Sequence, residues 1–182
     1  VLDGSFQNKS IQIGIESGQK VSLSVDSIQS AHLGHFSQLG SDLDGEFSGD
    51  LSGYTVSISD DGSVLAIGAP GNDENGDDTG HVRVYTLENG SWIQRGSDIN
   101  GGAPEDYKGR SVSLSADGSA LLVGAPKVDA NGNDSGQASV YTWDGMEWIQ
   151  RGSPINGEAA DNYSGYEVSL SSNGNSVVIS AP

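Results

Sequence analysis

Apolar and polar residues alternate along this chain in short runs separated by glycine-rich turns. Near the start, Ile11, Ile13 and Ile15 alternate with Gln12 and Gly14, and Val21, Leu23 and Val25 alternate with Ser22 and Ser24. The polar stretch Glu16-Ser17-Gly18-Gln19-Lys20 lies between them. A period of two over such short runs predicts two strands joined as a hairpin with one apolar face. A lone two-stranded hairpin is marginal in water, so that face is expected to pack on something else.

From Phe36 onward the alternation takes a different form. Tyr54-Thr55-Val56-Ser57-Ile58-Ser59 alternates, Asp61-Gly62 follows, and Val64-Leu65-Ala66-Ile67 is an unbroken apolar run. The Asp-Gly pair predicts a two-residue hairpin turn with positive φ at both central positions. The apolar run predicts a strand buried on both faces. Gly68-Ala69-Pro70 ends it, because proline cannot donate to a ladder. After a polar loop to Gly80, a third strand is expected from His81 to Leu87, a turn at Glu88-Asn89-Gly90, and a fourth strand from Trp92 to Gly96. Ser97 to Gly109 then reads as a crossover.

The whole pattern recurs. VRVYTLENGSWIQRGSDING at 82–101 returns as ASVYTWDGMEWIQRGSPING at 138–157, a step of 56 residues that also joins Val56, Val112 and Val168. Gly68-Ala69-Pro70 and Gly124-Ala125-Pro126 keep the same step, so the register holds without an insertion. Four antiparallel strands per repeat with a longer crossover is the arithmetic of a propeller blade. The expected fold is all-β, with blades at about 53–96 and 109–152, a partial blade at 165–182, and a lone fourth strand at 36–40. Closed propellers need at least about four blades. The expectation is therefore a piece of a longer propeller, one end covered by the hairpin.

Composition narrows the function classes. The 182 residues carry 25 Asp plus Glu against 8 Lys plus Arg, a net charge of -17, which argues against nucleic acid as a partner because phosphate binding needs a basic surface. No apolar run is long enough to span a bilayer as a helix, so no membrane partner is expected. With no cysteine there is no disulfide framework. No catalytic constellation is visible: the carboxylates fall at repeated turns instead of converging once, so an enzyme is not expected.

The candidate chemistry lies in the loop between the second and third strands of each repeat. Asp73, Asn75, Asp77 and Asp78 line up with Asp129, Asn131, Asn133 and Asp134 around Gly76 and Gly132. Closely spaced oxygens around a glycine suit a hard cation, so calcium is the candidate ion at Asp73, Asn75, Asp77, Asp129, Asn131 and Asn133. The competing reading is that Asp and Asn turn and cap the loop through local bonds to the backbone. No cofactor is required in either case. Trp92, Trp148 and Phe36 share one repeat position, either as a packing slot or as an exposed aromatic row able to hold a glycan. Arg95 and Arg151 are expected to pair with Asp106 or Glu158.

Two resemblances add to this. Residues 1–34, through Asp3-Gly4-Ser5-Phe6, Gln12-Ile13-Gly14 and Gly18-Gln19, resemble the β-hairpin region of bacterial flagellins that follows their long N-terminal helices. Ile15 departs from it, standing where a small residue is usual, and no such helices are present. GYTVSISDDGSVLAIGAP and its copies GRSVSLSADGSALLVGAP and GYEVSLSSNGNSVVISAP resemble the FG-GAP repeats of integrin α-subunit propellers. The family's Phe is replaced by Ser52, Lys108 and Ser164, and its calcium loop between the first two strands is cut down to the Asp-Gly turn. Together the resemblances imply a structural, extracellular outer domain of a flagellin-like filament subunit, in contact with other subunits through regions not in this chain. The alternative is a secreted or cell-surface FG-GAP adhesion module that binds a glycan or a protein.

Overall fold

The computed structural model describes residues 9–12, 20–23 and 38–182. The chain divides into two compact units, Val1–Gln38 and Leu39–Pro182. In the first, β1 (Lys9–Gln12) and β2 (Lys20–Leu23) pair antiparallel with Ile11 opposite Val21. That pairing follows from the alternation. Ile13, Ile15, Val25, His32, His35 and Phe36 lie outside the described residues.

The second unit is built of antiparallel strands. β3 (Thr55–Ile58), β4 (Val64–Ala69), β5 (His81–Glu88) and β6 (Ser91–Gln94) lie side by side in that order. A short β7 (Ile99–Asn100) adds to β5, with Val82 opposite Ile99 and His81 opposite Asn100. The next repeat has the same wiring: β8 (Ser111–Leu114), β9 (Ala120–Ala125), β10 (Gln137–Trp143) and β11 (Trp148–Gln150), with β12 (Ile155–Asn156) on β10. A third sheet holds β13 (Val168–Leu170) and β14 (Val177–Ile179). Each full sheet therefore has five strands instead of the expected four, because a strand of two residues is too short to show a period. Of the lone strand expected at 36–40, residues 36 and 37 lie outside the described residues and 38–40 form no strand. Residues 38–40 hold the place that Gln94, Arg95 and Gly96 hold one repeat later, with Gly40 at φ 76 and Gly96 at φ 79.

The tight turn also differs from expectation. Within Asp60–Ser63 only Gly62 takes positive φ, at 71. The turn is closed by Gly62 N–H on Ser59 O and Ser59 N–H on Val64 O, each at 2.9 Å. Asp61 is held by its side chain instead: Oδ1 accepts from Ser59 Oγ at 2.7 Å, Ser63 N–H at 2.9 Å and Ser63 Oγ at 2.8 Å. Asp117 is clasped in the same way by Ser115 and Ser119. These bonds, the one from Ser59 foremost, hold the Asp61 carboxyl down at about 2, and the Asp117 carboxyl is lowered for the same reason.

Burial follows from stacking. Every residue of β9 is buried, with Leu121 and Leu122 at 0% exposure, as its unbroken apolar run requires. Val112 and Leu114 on β8 are 6% and 7% exposed, whereas Val56 and Ile58, the same repeat positions on β3, are 60% and 56% exposed. The alternating serines supply the link between sheets. Leu114 N–H donates to Ser57 Oγ at 2.9 Å, and Leu170 N–H donates to Ser113 Oγ at 3.0 Å. Asp60 N–H on Ala116 O and Ala116 N–H on Ser172 O, both 2.9 Å, continue the contact. Gly124 is required at its place because a Cβ there would run into the Gly165 carbonyl.

Candidate functional site

The loops joining β4 to β5 and β9 to β10 place Asp73, Asn75, Asp77, Asp129, Asn131 and Asn133 on an exposed rim. Both loops are closed by protein donors. Asp73 Oδ1 accepts Asp78 N–H at 2.7 Å, and Asp129 Oδ1 accepts Asp134 N–H at 2.8 Å. Tyr107 OH donates to Asp78 Oδ2 at 2.8 Å, and Tyr163 OH reaches Asp134 Oδ2 at 3.4 Å. The hydrogen bond to Asp78 is the main reason the Tyr107 phenol is pushed up to about 12. Asn131 Nδ2 donates to Gly157 O at 2.8 Å, and Asn133 Nδ2 donates to Asp134 Oδ2 at 3.1 Å. Local capping thus engages oxygens of Asp73 and Asp129 and ties each loop to the following crossover.

Between the first crossover and the second loop lies a cleft of about 540 Å³, lined among others by Asn100, Lys108, Lys127, Asp129 and Gln137. Lys127 Nζ stands 4.4 Å from the centre of the Tyr107 ring, so the cleft wall continues the Asp78–Tyr107 link.

The tryptophans fill packing slots. Trp148 is 8% exposed and its indole N–H donates to Arg95 O at 3.0 Å. Arg95 Cζ lies 4.6 Å from the Trp143 ring centre and 5.5 Å from that of Trp148. The expected pairing of Arg95 and Arg151 with Asp106 or Glu158 does not form. Arg95 Nη1 donates to Gly118 O at 3.2 Å and Arg151 Nη1 to Gly174 O at 3.1 Å, because the arginines point toward the next sheet's turn instead of the crossover. Trp148 is thus buried with its N–H engaged, Trp92 is half-buried, and Phe36 lies outside the described residues.

A different group does converge. Among the described residues, ligand atoms of Glu46, Glu74, His81 and Asp98 lie within 4.8 Å of one another, whereas Asp73, Asp77 and Asp78 form no such group. His81, the first residue of β5, is 3% exposed; its Nδ1 has no hydrogen-bond partner and stands 3.7 Å from Asp98 Oδ2. Arg83 bridges Glu46 and Asp98, its Nη2 at 2.9 Å from Asp98 Oδ2. Burial works against the Arg83 charge, but its bonds to Glu46 and Asp98 outweigh that and hold the guanidinium above its ordinary value. Burial, with Arg83 adding to it, pushes the His81 ring below its ordinary value despite Asp98, Glu46 and Asp50.

Sequence reading missed this group because its members are scattered over three connecting segments and one strand. One signal was present. The positions one repeat later hold Gly102, Ala130, Gln137 and Pro154, and Ser139 replaces Arg83, so residue identity departs at all five while the register of 56 is kept.

Comparison with family models agrees with the repeat. Residues 43–85 and 100–141 match the family model of the FG-GAP repeat. These two segments thus match the FG-GAP repeat, and the chain is an all-β protein whose antiparallel sheets are consistent with propeller blades of that kind; the matched segments lie outside residues 1–34. No curated protein matches it. Among solved structures it is similar to Kuenenia stuttgartiensis Hydrazine Synthase, at 14% identity and a TM-score of 0.43, over 79% of this chain and 32% of that one. The chain therefore spans about a third of that chain's length.

Proposed function

We propose that residues 39–182 form a non-enzymatic interaction module of an extracellular or cell-surface protein, and that its partner is another protein. The FG-GAP repeat supports the class. The observation that carries the reading is the division of roles within each repeat. Residues that keep step, such as Ser57 and Ser113 or Arg95 and Arg151, hold sheet to sheet. The two acidic loops and the cleft of about 540 Å³ between the repeats stay open at the rim. A rigid scaffold with exposed polar loops is the usual arrangement of a binding surface. Calcium at Asp73, Asn75 and Asp77 would steady that rim.

The test is binding of the 182-residue chain to arrays of extracellular proteins and of glycans. The expected result is a protein ligand whose binding is lost when Lys127→Glu and Asp129→Lys are combined, with the melting temperature unchanged. Glycan binding alone, or protein binding indifferent to the rim substitutions, would overturn the reading.

In a second reading, the module is the outer domain of a flagellin-like filament subunit. Its support is the wording of residues 1–34, and a full-length gene without long amphipathic helices flanking this segment would remove it.

A further inference from the structure

The two repeats differ where they should be alike. In the second, Gln137 Nε2 donates to Asn156 Oδ1 at 2.9 Å across the β10–β12 pair. In the first, His81 and Asn100 occupy the same two opposed positions, and both His81 Nδ1 and Asn100 Oδ1 are buried with no partner. Buried polar atoms without a partner are uncommon and each needs a reason. Replacing Gln by His at this place removes a satisfied amide pair and aims a ring nitrogen toward three carboxylates.

Charge supplies the second argument. Glu46, Glu74 and Asp98 bring three negative charges to His81, and Arg83 offsets only part of them through Glu46 and Asp98. No hydrogen bond or ion pair joins Glu74's carboxylate to a cation among the described residues. An imidazole nitrogen beside carboxylates is the donor set of a divalent transition metal such as zinc, not of calcium, which takes oxygen ligands.

We propose that Glu46, Glu74, His81 and Asp98 bind one divalent transition-metal ion through His81 Nδ1 and carboxylate oxygens, a site present in the first repeat and absent from the second. The ligand atoms already lie within 4.8 Å of one another, and the exposed side chains of Glu46 and Glu74 close the remaining distance by rotation. Arg83, bound to Asp98 Oδ2 and to Glu46, orients these carboxylates from the outer shell. The ion joins the segment before β3, the first acidic loop, β5 and the β6–β7 connection. The proposal stands apart from the partner-binding reading, because these residues are not those that line the cleft.

The experiment titrates the 182-residue chain with zinc and, for a spectroscopic readout, with cobalt. The variants are His81→Gln and Glu74→Ala, each taking the residue that the second repeat holds at that place, so both are compatible with the fold. The expected result is one equivalent bound by the parent, visible cobalt d–d bands of a nitrogen–oxygen site, no displacement by excess calcium, and at least a tenfold loss of affinity in each variant. Two results would overturn the site: zinc bound equally by the parent and His81→Gln, which is adsorption on an acidic surface, or no stoichiometric binding by the parent. A melting curve of each variant in chelator distinguishes lost binding from lost fold.

Discussion

Trp148 donates its indole N–H to the backbone carbonyl of Arg95, 53 residues earlier, at 3.0 Å. Trp92 repeats the relationship with Leu39 at 3.1 Å. Each tryptophan thus pins its own sheet to the end of the preceding copy, and this bond, more than strand pairing, marks where one unit meets the next. Trp148 is also packed against Trp143, ring centres 5.6 Å apart. Trp148→Ala is expected to destabilise the protein by about 3–5 kcal/mol, and Trp92→Ala, which starts half-buried, by less. Denaturant melts of the two variants check the order, and equal losses would contradict it.

The serine clasps between sheets predict a smaller effect. Ser113→Ala leaves the Leu170 N–H without its acceptor, as Ser57→Ala does for Leu114. An amide left unsatisfied at a part-buried place costs about 1–3 kcal/mol. Hydrogen exchange read at Leu114 and Leu170 should accelerate in the matching variant only.

Gly124→Ala is expected to destabilise by about 1–3 kcal/mol or to shift the sheets apart, since the new methyl meets the Gly165 carbonyl. Gly90→Ala is the control for space, because nothing lies within 4 Å of a Cβ there, although its φ of 80 still carries backbone strain. A thermal melt comparing the two separates steric conflict from strain.

Acid stability follows from the turn carboxylates. Asp61 is held at about 2, below its ordinary 3.8, by Ser59 and Ser63. A depressed folded value means the contribution is complete above the unfolded value and fades as pH falls toward 2. Asp117 is lowered in the same direction, whereas the third copy has Asn173, which does not titrate. Carbon-detected NMR titration should show Asp61 ionised well below pH 3.8, and Asp61→Asn should flatten the stability profile in that window. An Asp61 titrating at its ordinary value would refute the clasp.

The acidic loops predict an asymmetry toward ions. Both are closed by protein bonds, so neither loop needs an ion to keep its shape. Millimolar calcium is expected to raise the melting temperature slightly, with Asp73→Asn removing the rise more fully than Asp129→Asn, because the first loop has one carboxylate more at Asp77. No rise at all would remove calcium from the rim.

Much of the scaffold was legible because its residues keep step. Val56, Val112 and Val168, the Gly-Ala-Pro ends and the Trp-Ile-Gln runs announce the strands and their order. The Asp-Gly turn was misread because the dipeptide alone does not show that Ser59 and Ser63 compete for the aspartate, which lets one glycine take the only positive φ. β7 and β12 were missed because two residues carry no period. The His81 group was invisible to motif reading, since Glu46, Glu74, His81 and Asp98 meet only once β5 is flanked by its neighbours. Departure from the copy, not likeness to a motif, was its trace.

Val56 and Ile58 are solvent-facing where Val112 and Leu114 are core, though the residue types are nearly the same. What changes is the neighbour, not the letter. A further unit laid on the open face of β3 would find the footing that the first sheet finds on β8, so growth by duplication needs no new invention at the joint.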